Sequence, residues 1–264
     1  ACMDGIVMGG GMGLAQGASH RIVTERSQLA MPETRIGFFP DVGGGYFLSR
    51  CPGYAGEWLA LTGNAVSGSD ALAIGWADHW LPSTRLPEFW QQLAEKQWSD
   101  SAAIAQWVTQ SCDPAPAVSD DLDHGLVQAG RYFASGDMIS IVHALEQAKG
   151  DAWAQATAAT LRQRSPLMLH VVLRQIRGGR ALSYAQNIYR ERVMVHHCFH
   201  PDHLGRAPRN SEVIEGIRAL VIDKDQRPLW QPERVEDVTP EMAEGFFAEV
   251  WRPGDHPLRQ LLQP

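Results

Sequence analysis

One short passage, Met31-Pro-Glu-Thr-Arg-Ile-Gly-Phe-Phe-Pro-Asp-Val-Gly-Gly-Gly-Tyr46, sets two carboxylates, Glu33 and Asp41, each directly behind a proline. Pro32 and Pro40 fix φ and interrupt regular structure, so the passage is expected to form a rigid loop with a helix starting near Asp41. A rigid loop is a good holder for acid–base groups. Upstream lies a glycine cluster, Met8-Gly-Gly-Gly-Met-Gly13. A strand running into a Gly-rich helix start presents backbone N–H groups and the positive end of a helix dipole, which suits an oxyanion or phosphate. The same glycines would equally serve tight helix–sheet packing.

The pattern around these motifs alternates. Residues 3–8 read as a strand, Gly9–Gly11 as a tight turn and Met12–His20 as a small-residue helix, followed by strands at Arg21–Glu25 and Gln28–Met31. Val42–Arg50 and Glu57–Thr62 have helical character. Ser67 or Ser69 is placed to cap a helix through Ile74, and Ala77–Leu81 makes another strand. Beyond Pro82 the chain becomes mostly helical. Leu169, Val172, Leu173 and Ile176 follow i, i+3, i+4, i+7 spacing behind Ser165-Pro166, the mark of a capped amphipathic helix. Cys112–Asp121 reads as a connection between helices. An apolar strand this close to the first residue needs neighbours, which leads us to expect a further N-terminal portion.

With 44% hydrophobic and 20% charged residues, the 264-residue chain has the composition of a folded globular protein. Its formal charge of −7 and the lack of a basic stripe argue against a nucleic-acid partner. No apolar run reaches the roughly 18 residues of a membrane span, and no signal peptide is visible, so no membrane partner and a cytoplasmic location are expected. Cys2, Cys51, Cys112 and Cys198 lack CxxC spacing, which favours reduced thiols over disulfides or zinc.

The glycine cluster matches neither GxGxxG nor the Walker pattern. Asp41 before Val-Gly-Gly-Gly is open to a plain helix-capping role, and Glu33 to a solvated loop position. The run His196-His197-Cys198-Phe199-His200-Pro201-Asp202-His203 contains zinc-type ligands, but adjacent ligands rarely converge on one ion, so no metal is expected. Trp58, Trp76, Trp80 and Trp90 are expected in the core or at an interface.

From Asp4 to Leu81 the sequence resembles the crotonase (enoyl-CoA hydratase/isomerase) superfamily, and within it the 3-hydroxyisobutyryl-CoA hydrolase family, through the glycine cluster and the Met31–Leu48 run. Ser165-Pro166, Leu173-Arg174-Gln175, Glu215-Gly216-Ile217-Arg218-Ala219 and Ile222-Asp223-Lys224-Asp225, with Trp230 and Pro232, are similar to that family's tail. The resemblance implies an α/β fold: a crotonase (ClpP-like) spiral core, N-terminally incomplete, over residues 1–85, then a mostly helical region over 86–264.

It also implies chemistry. The backbone N–H of Gly10 would be one oxyanion donor to a thioester carbonyl, with Gly9 and Gly11 beside the substrate, and Glu33 and Asp41 would match the hydrolase's two carboxylates. Enoyl-CoA hydratases carry a second catalytic Glu where this chain has Gly13, and a Gly in place of Asp41. Dienoyl-CoA isomerases share the acid pair but add an acid at the Gly13 position. The implied reaction is hydrolysis of 3-hydroxyisobutyryl-CoA to 3-hydroxyisobutyrate and CoA in valine breakdown. No cofactor is implied, coenzyme A being part of the substrate, and acyl-CoA is the partner, with a homo-oligomer left open. The alternatives are a hydratase or isomerase, or a non-catalytic acyl-CoA-binding protein.

Overall fold

The computed structural model describes residues 1–134, 136–252 and 254–262. Its internal contacts define two compact units, interleaved along the chain: Ala1–Ala30 with Ala65–His124, and Met31–Asn64 with Gly125–Pro264. Among the described residues every strand ends by Trp80 and helices dominate afterwards.

In the first unit the expected strand over 3–8 is two strands, Cys2–Met3 and Ile6–Met8, which belong to different sheets. Cys2–Met3 pairs in parallel with Ile22–Val23, and that strand in turn with His79–Trp80. Ile6–Met8 pairs in parallel with Gln28–Ala30, whose other edge takes Val66–Ser67 antiparallel. The chain changes sheet at Asp4-Gly5, where Gly5 has φ 104°, and again at Thr24–Ser27. Side chains tie the two corners together. Asp4 accepts from Thr24 Oγ1 at 2.7 Å and pairs with Arg26, while Ser27 Oγ bonds both Thr24 N and the Met3 carbonyl. This second corner is why the strands expected at 21–25 and 28–31 shorten to Ile22–Val23 and Gln28–Ala30.

Helices Leu86–Glu95 and Ser101–Ser111 bury Leu86, Phe89, Trp107 and Val108 against Ile22 and Leu81, each side chain contributing about 1.5–3 kcal/mol on burial. Ser67 caps the helix Gly68–Ala73 through Asp70 N, as its sequence suggested. The connection from Cys112 is anchored where Ser119 N and Oγ donate to the two Asp70 oxygens, each at 3.0 Å. Cys2–Met3 and Ile6–Met8 lie at the edges of their sheets, and Ile6 and Leu14 are 74% and 84% exposed.

The second unit is built around the helix Pro166–Gly179, capped by Ser165 accepting from Met168 N. Its stripe of Leu169, Val172, Leu173 and Ile176 is buried as the spacing predicted, and the helix packs on Ala55–Thr62 and Gly44–Leu48. Glu57, fully buried in Ala55–Thr62, is neutralised by Arg180 at 2.6 Å. Trp58 and Trp76 are buried as expected, whereas Trp90 is half exposed beside Phe89. Main chains meet closely where the turn Glu33–Ile36 crosses the helix Glu212–Ile217. A Cβ on Gly216 would lie 2.2 Å from the Ile36 carbonyl oxygen, and one on Gly37 would lie 2.4 Å from that of Glu212. No described helix is long and apolar enough to cross a membrane.

Candidate active site

Both carboxylates of the Pro/Gly passage belong to the second unit. Glu33 opens the 3-10 turn Glu33–Ile36, which is closed by Gly37 in the left-handed region at φ 67° and held to the core by Thr34 Oγ1 donating to the Leu61 carbonyl. The Glu33 side chain is not a solvated loop acid. It is 7% exposed, and its Oε2 is buried without a hydrogen-bond partner among the described residues. Burial pushes the carboxyl up to about 8, opposed by a backbone hydrogen bond and assisted by the Asp41 carboxylate.

Asp41 is half-buried, and desolvation raises its pKa against a backbone hydrogen bond. It does not cap the following helix. That helix runs Gly44–Leu48 behind Gly43, and no side chain of its N-cap residue accepts a bond. Instead Glu191, far along the chain, receives the N–H groups of Gly43 at 2.8 Å and Gly45 at 2.9 Å. Val42, directly after Asp41, has φ 52°, a conformation that β-branched residues avoid.

The glycine cluster lies in the first unit. The helix begins at Gly10 and runs to Gln16, so the expected turn and helix 12–20 become a helix start two residues earlier with Gly9 as N-cap. Met12 N and Gly13 N fold back onto the Gly9 carbonyl. The packing explanation does not hold at Gly10, which is exposed and where a Cβ would meet nothing within 4 Å. Gly11 has the Val7 side chain 3.6 Å from its Cβ position. The N–H groups of Gly10 and Gly11 are first-turn donors with no intrahelical acceptor.

Elsewhere in the second unit an open cleft of about 820 Å³ is lined by His170, Leu173, Arg174, Arg177, Arg190 and Phe247, among others, and by neither Glu33 nor Asp41. The histidine run is divided between the end of the helix Tyr184–Phe199 and the turn after Pro201. His197 Nε2 bonds the Ala248 carbonyl at 2.8 Å, and His203 packs edge-on against Phe246.

Residues 1–247 match the family described as Enoyl-CoA hydratase/isomerase. The chain belongs to this family. It is 37% identical over 257 residues to 3-hydroxyisobutyryl-CoA hydrolase 1 of Arabidopsis thaliana, covering 96% of the chain and 66% of that protein. It is also 34% identical to the small ribosomal subunit protein mS47 of the same plant, covering 94% of the chain and 60% of that protein. The chain thus spans about two thirds, or less, of the length of these curated relatives. A crystal structure described as a carnitinyl-CoA dehydratase from Mycobacterium thermoresistibile superposes with a TM-score of 0.79 at 34% identity, over 94% of this chain and 67% of that one. The crotonase fold expected from the sequence is therefore the fold of this family member.

Sequence reasoning missed Glu191 and Gln175, which hold the Asp41 loop. A signal existed. Asn187, Glu191, Met194 and Cys198 recur at helical spacing and all are buried, so two polar residues sit within an otherwise apolar stripe.

Proposed function

We propose that this crotonase-family chain carries the catalytic carboxylates and an oxyanion donor of a 3-hydroxyacyl-CoA thioester hydrolase, with 3-hydroxyisobutyryl-CoA as substrate. The observation that carries the reading is Glu33, a carboxyl buried with an unpartnered oxygen and a pKa lifted to about 8, to which the charge of Asp41 contributes. A group of that pKa is suited to moving a proton near neutral or mildly alkaline pH. The identity with proteins named as this hydrolase supports the substrate class.

In this reading water adds to the thioester carbonyl and the C–S bond breaks, giving the hydroxy acid and the CoA thiol. Ionised Glu33 either takes the proton from the attacking water or adds to the carbonyl itself, forming an anhydride that water then opens. The Gly10 N–H, with Gly9 and Gly11 around it, donates to the oxyanion, and Asp41 positions the substrate hydroxyl or the water. No cofactor beyond the CoA of the substrate takes part. A cytoplasmic location belongs to the same proposal and is supported by Cys2, Cys112 and Cys198, free thiols that a reducing compartment would keep so.

Two observations favour other readings. The dehydratase neighbour points to hydration chemistry, which Gly13 opposes because it offers no second acid. The ribosomal relative points to a non-catalytic role, which the buried Glu33 with one unpartnered oxygen opposes. The test presents the protein with 3-hydroxyisobutyryl-CoA and with crotonyl-CoA. Thiol release from the first and an unchanged enoyl absorbance for the second are expected. Hydration of crotonyl-CoA without thiol release would assign the hydratase reading, and neither reaction would assign the non-catalytic one.

A further inference from the structure

We propose that Glu191 is the positioning residue for Asp41, acting through the backbone of the Pro40–Gly45 turn; the inference rests on the hydrolase reading above. The turn contains a conformation that does not hold itself. Val42 at φ 52° is a strained conformation for a β-branched residue and persists when the surroundings over-determine it.

Here they do, from both sides. Before Asp41, the Pro40 carbonyl accepts from Gln175 Nε2 at 2.7 Å. After it, Gly43 and Gly45 each donate an N–H to a different oxygen of Glu191. The anchors are buried, with Gln175 fully so and Glu191 4% exposed, and beside them Arg190 Nη2 donates to the Gln175 main-chain carbonyl at 2.9 Å and to Asn187 Oδ1 at 3.2 Å. They also close around Gly45. A Cβ there would stand 3.0 Å from Asn187 Oδ1, 3.1 Å from Gln175 Nε2 and 3.2 Å from Glu191 Oε1.

A helix of five residues does not require such an anchor. A side-chain oxygen at an N-cap satisfies a single first-turn donor, whereas Glu191 meets two at the cost of burying a carboxyl. What the costly arrangement adds is an immobile segment from Pro40 to Gly45 with Asp41 at its centre. Two hydrogen bonds to one buried carboxyl on one side and an amide bond on the other leave the Asp41 backbone little freedom. The side chain then approaches the reacting groups from one direction.

The experiment is a double-mutant cycle between Glu191→Gln and Asp41→Asn, followed by thiol release and by amide exchange at Gly43 and Gly45. Glu191→Gln keeps one acceptor oxygen and turns an N–H toward the other donor. It is expected to accelerate exchange at these glycines and lower kcat on 3-hydroxyisobutyryl-CoA by about tenfold or more, with KM within about threefold. Because Glu191 acts through Asp41, the double variant is expected to be no worse than Asp41→Asn alone. Losses that multiply in the double variant overturn the proposal, as does wild-type kcat in Glu191→Gln. If Glu191→Gln does not fold, Glu191→Asp, which keeps the carboxyl and withdraws it by one methylene, is read in the same cycle with the same criteria. Glu33→Gln measured alongside separates the two levels. An inactive Glu33→Gln beside a fully active Glu191→Gln overturns the positioning role alone, whereas a wild-type protein that releases no thiol overturns the hydrolase reading with it.

Discussion

Replacing Glu33 by Gln should make the protein more stable as the pH rises, while removing its activity. The folded carboxyl holds its proton up to about pH 8, against an ordinary value of 4.5. The folded state therefore binds the proton more tightly than the unfolded chain across this interval. The associated stability is fully present below pH 4.5 and is lost as pH rises through 8. Each full pH unit below the folded value corresponds to about 1.4 kcal/mol and the last one to less, so raising the pH from 6 to 8 strips the wild type of about 2 kcal/mol through this one group. Gln has nearly the same shape and does not titrate, and every other ionisable group is common to both proteins.

Urea unfolding of wild type and Glu33→Gln at pH 6, 7 and 8 isolates the effect as a difference of differences. Whatever the amide itself costs in the pocket cancels between pH values. The variant's relative stability is expected to climb by about 1–3 kcal/mol over the range, allowing for relaxation around the ionised group. Thiol release in the wild type should rise over the same range, as Glu33 ionises, and be absent in the variant. A relative stability that stays flat from pH 6 to 8 would mean that Glu33 titrates like an exposed acid. The account of a buried carboxyl held in readiness would then be wrong, whatever the variant's activity.

Asp41→Asn is expected to cost about tenfold to a hundredfold more on a 3-hydroxyacyl-CoA than on the matching acyl-CoA without the hydroxyl, because the lost partner bond is made by the hydroxyl alone. Equal losses on both substrates would move Asp41 from the hydroxyl to the water. The exposed Ile6 and Leu14, beside the edge strands Cys2–Met3 and Ile6–Met8, predict concentration-dependent self-association in sedimentation velocity. Ile6→Lys with Leu14→Lys should return the sedimentation to that of the single chain; unchanged association would locate the contact elsewhere.

The family resemblance and the acid pair were legible because they are local. Pro32, Pro40 and the glycines announce a turn wherever they occur. The helix Pro166–Gly179 was legible for the same reason, since Ser165, Pro166 and the apolar stripe repeat at the pitch of the helix itself. What escaped was set by partners distant in sequence. The strand over 3–8 looks continuous, yet Thr24–Ser27 bond to its middle and divide it between sheets. Asp41 looks like an N-cap until Glu191 is seen to supply the acceptors. Glu33 looks hydrophilic, and only its surroundings make it a weak acid.

The crossing of Glu33–Ile36 over Glu212–Ile217 has a consequence for descent. Side chains that meet can drift by small exchanges of volume, one shrinking as the other grows. Two main chains that meet through Gly37 and Gly216 have nothing to exchange. Adding a methyl group at either position drives a carbon into a carbonyl oxygen that cannot rotate away, and loss of a side chain elsewhere does not relieve it. Lineages that keep Glu33 where it stands are thus bound to keep both glycines. A lineage that gives one up must move the turn bodily, and the buried acid with it.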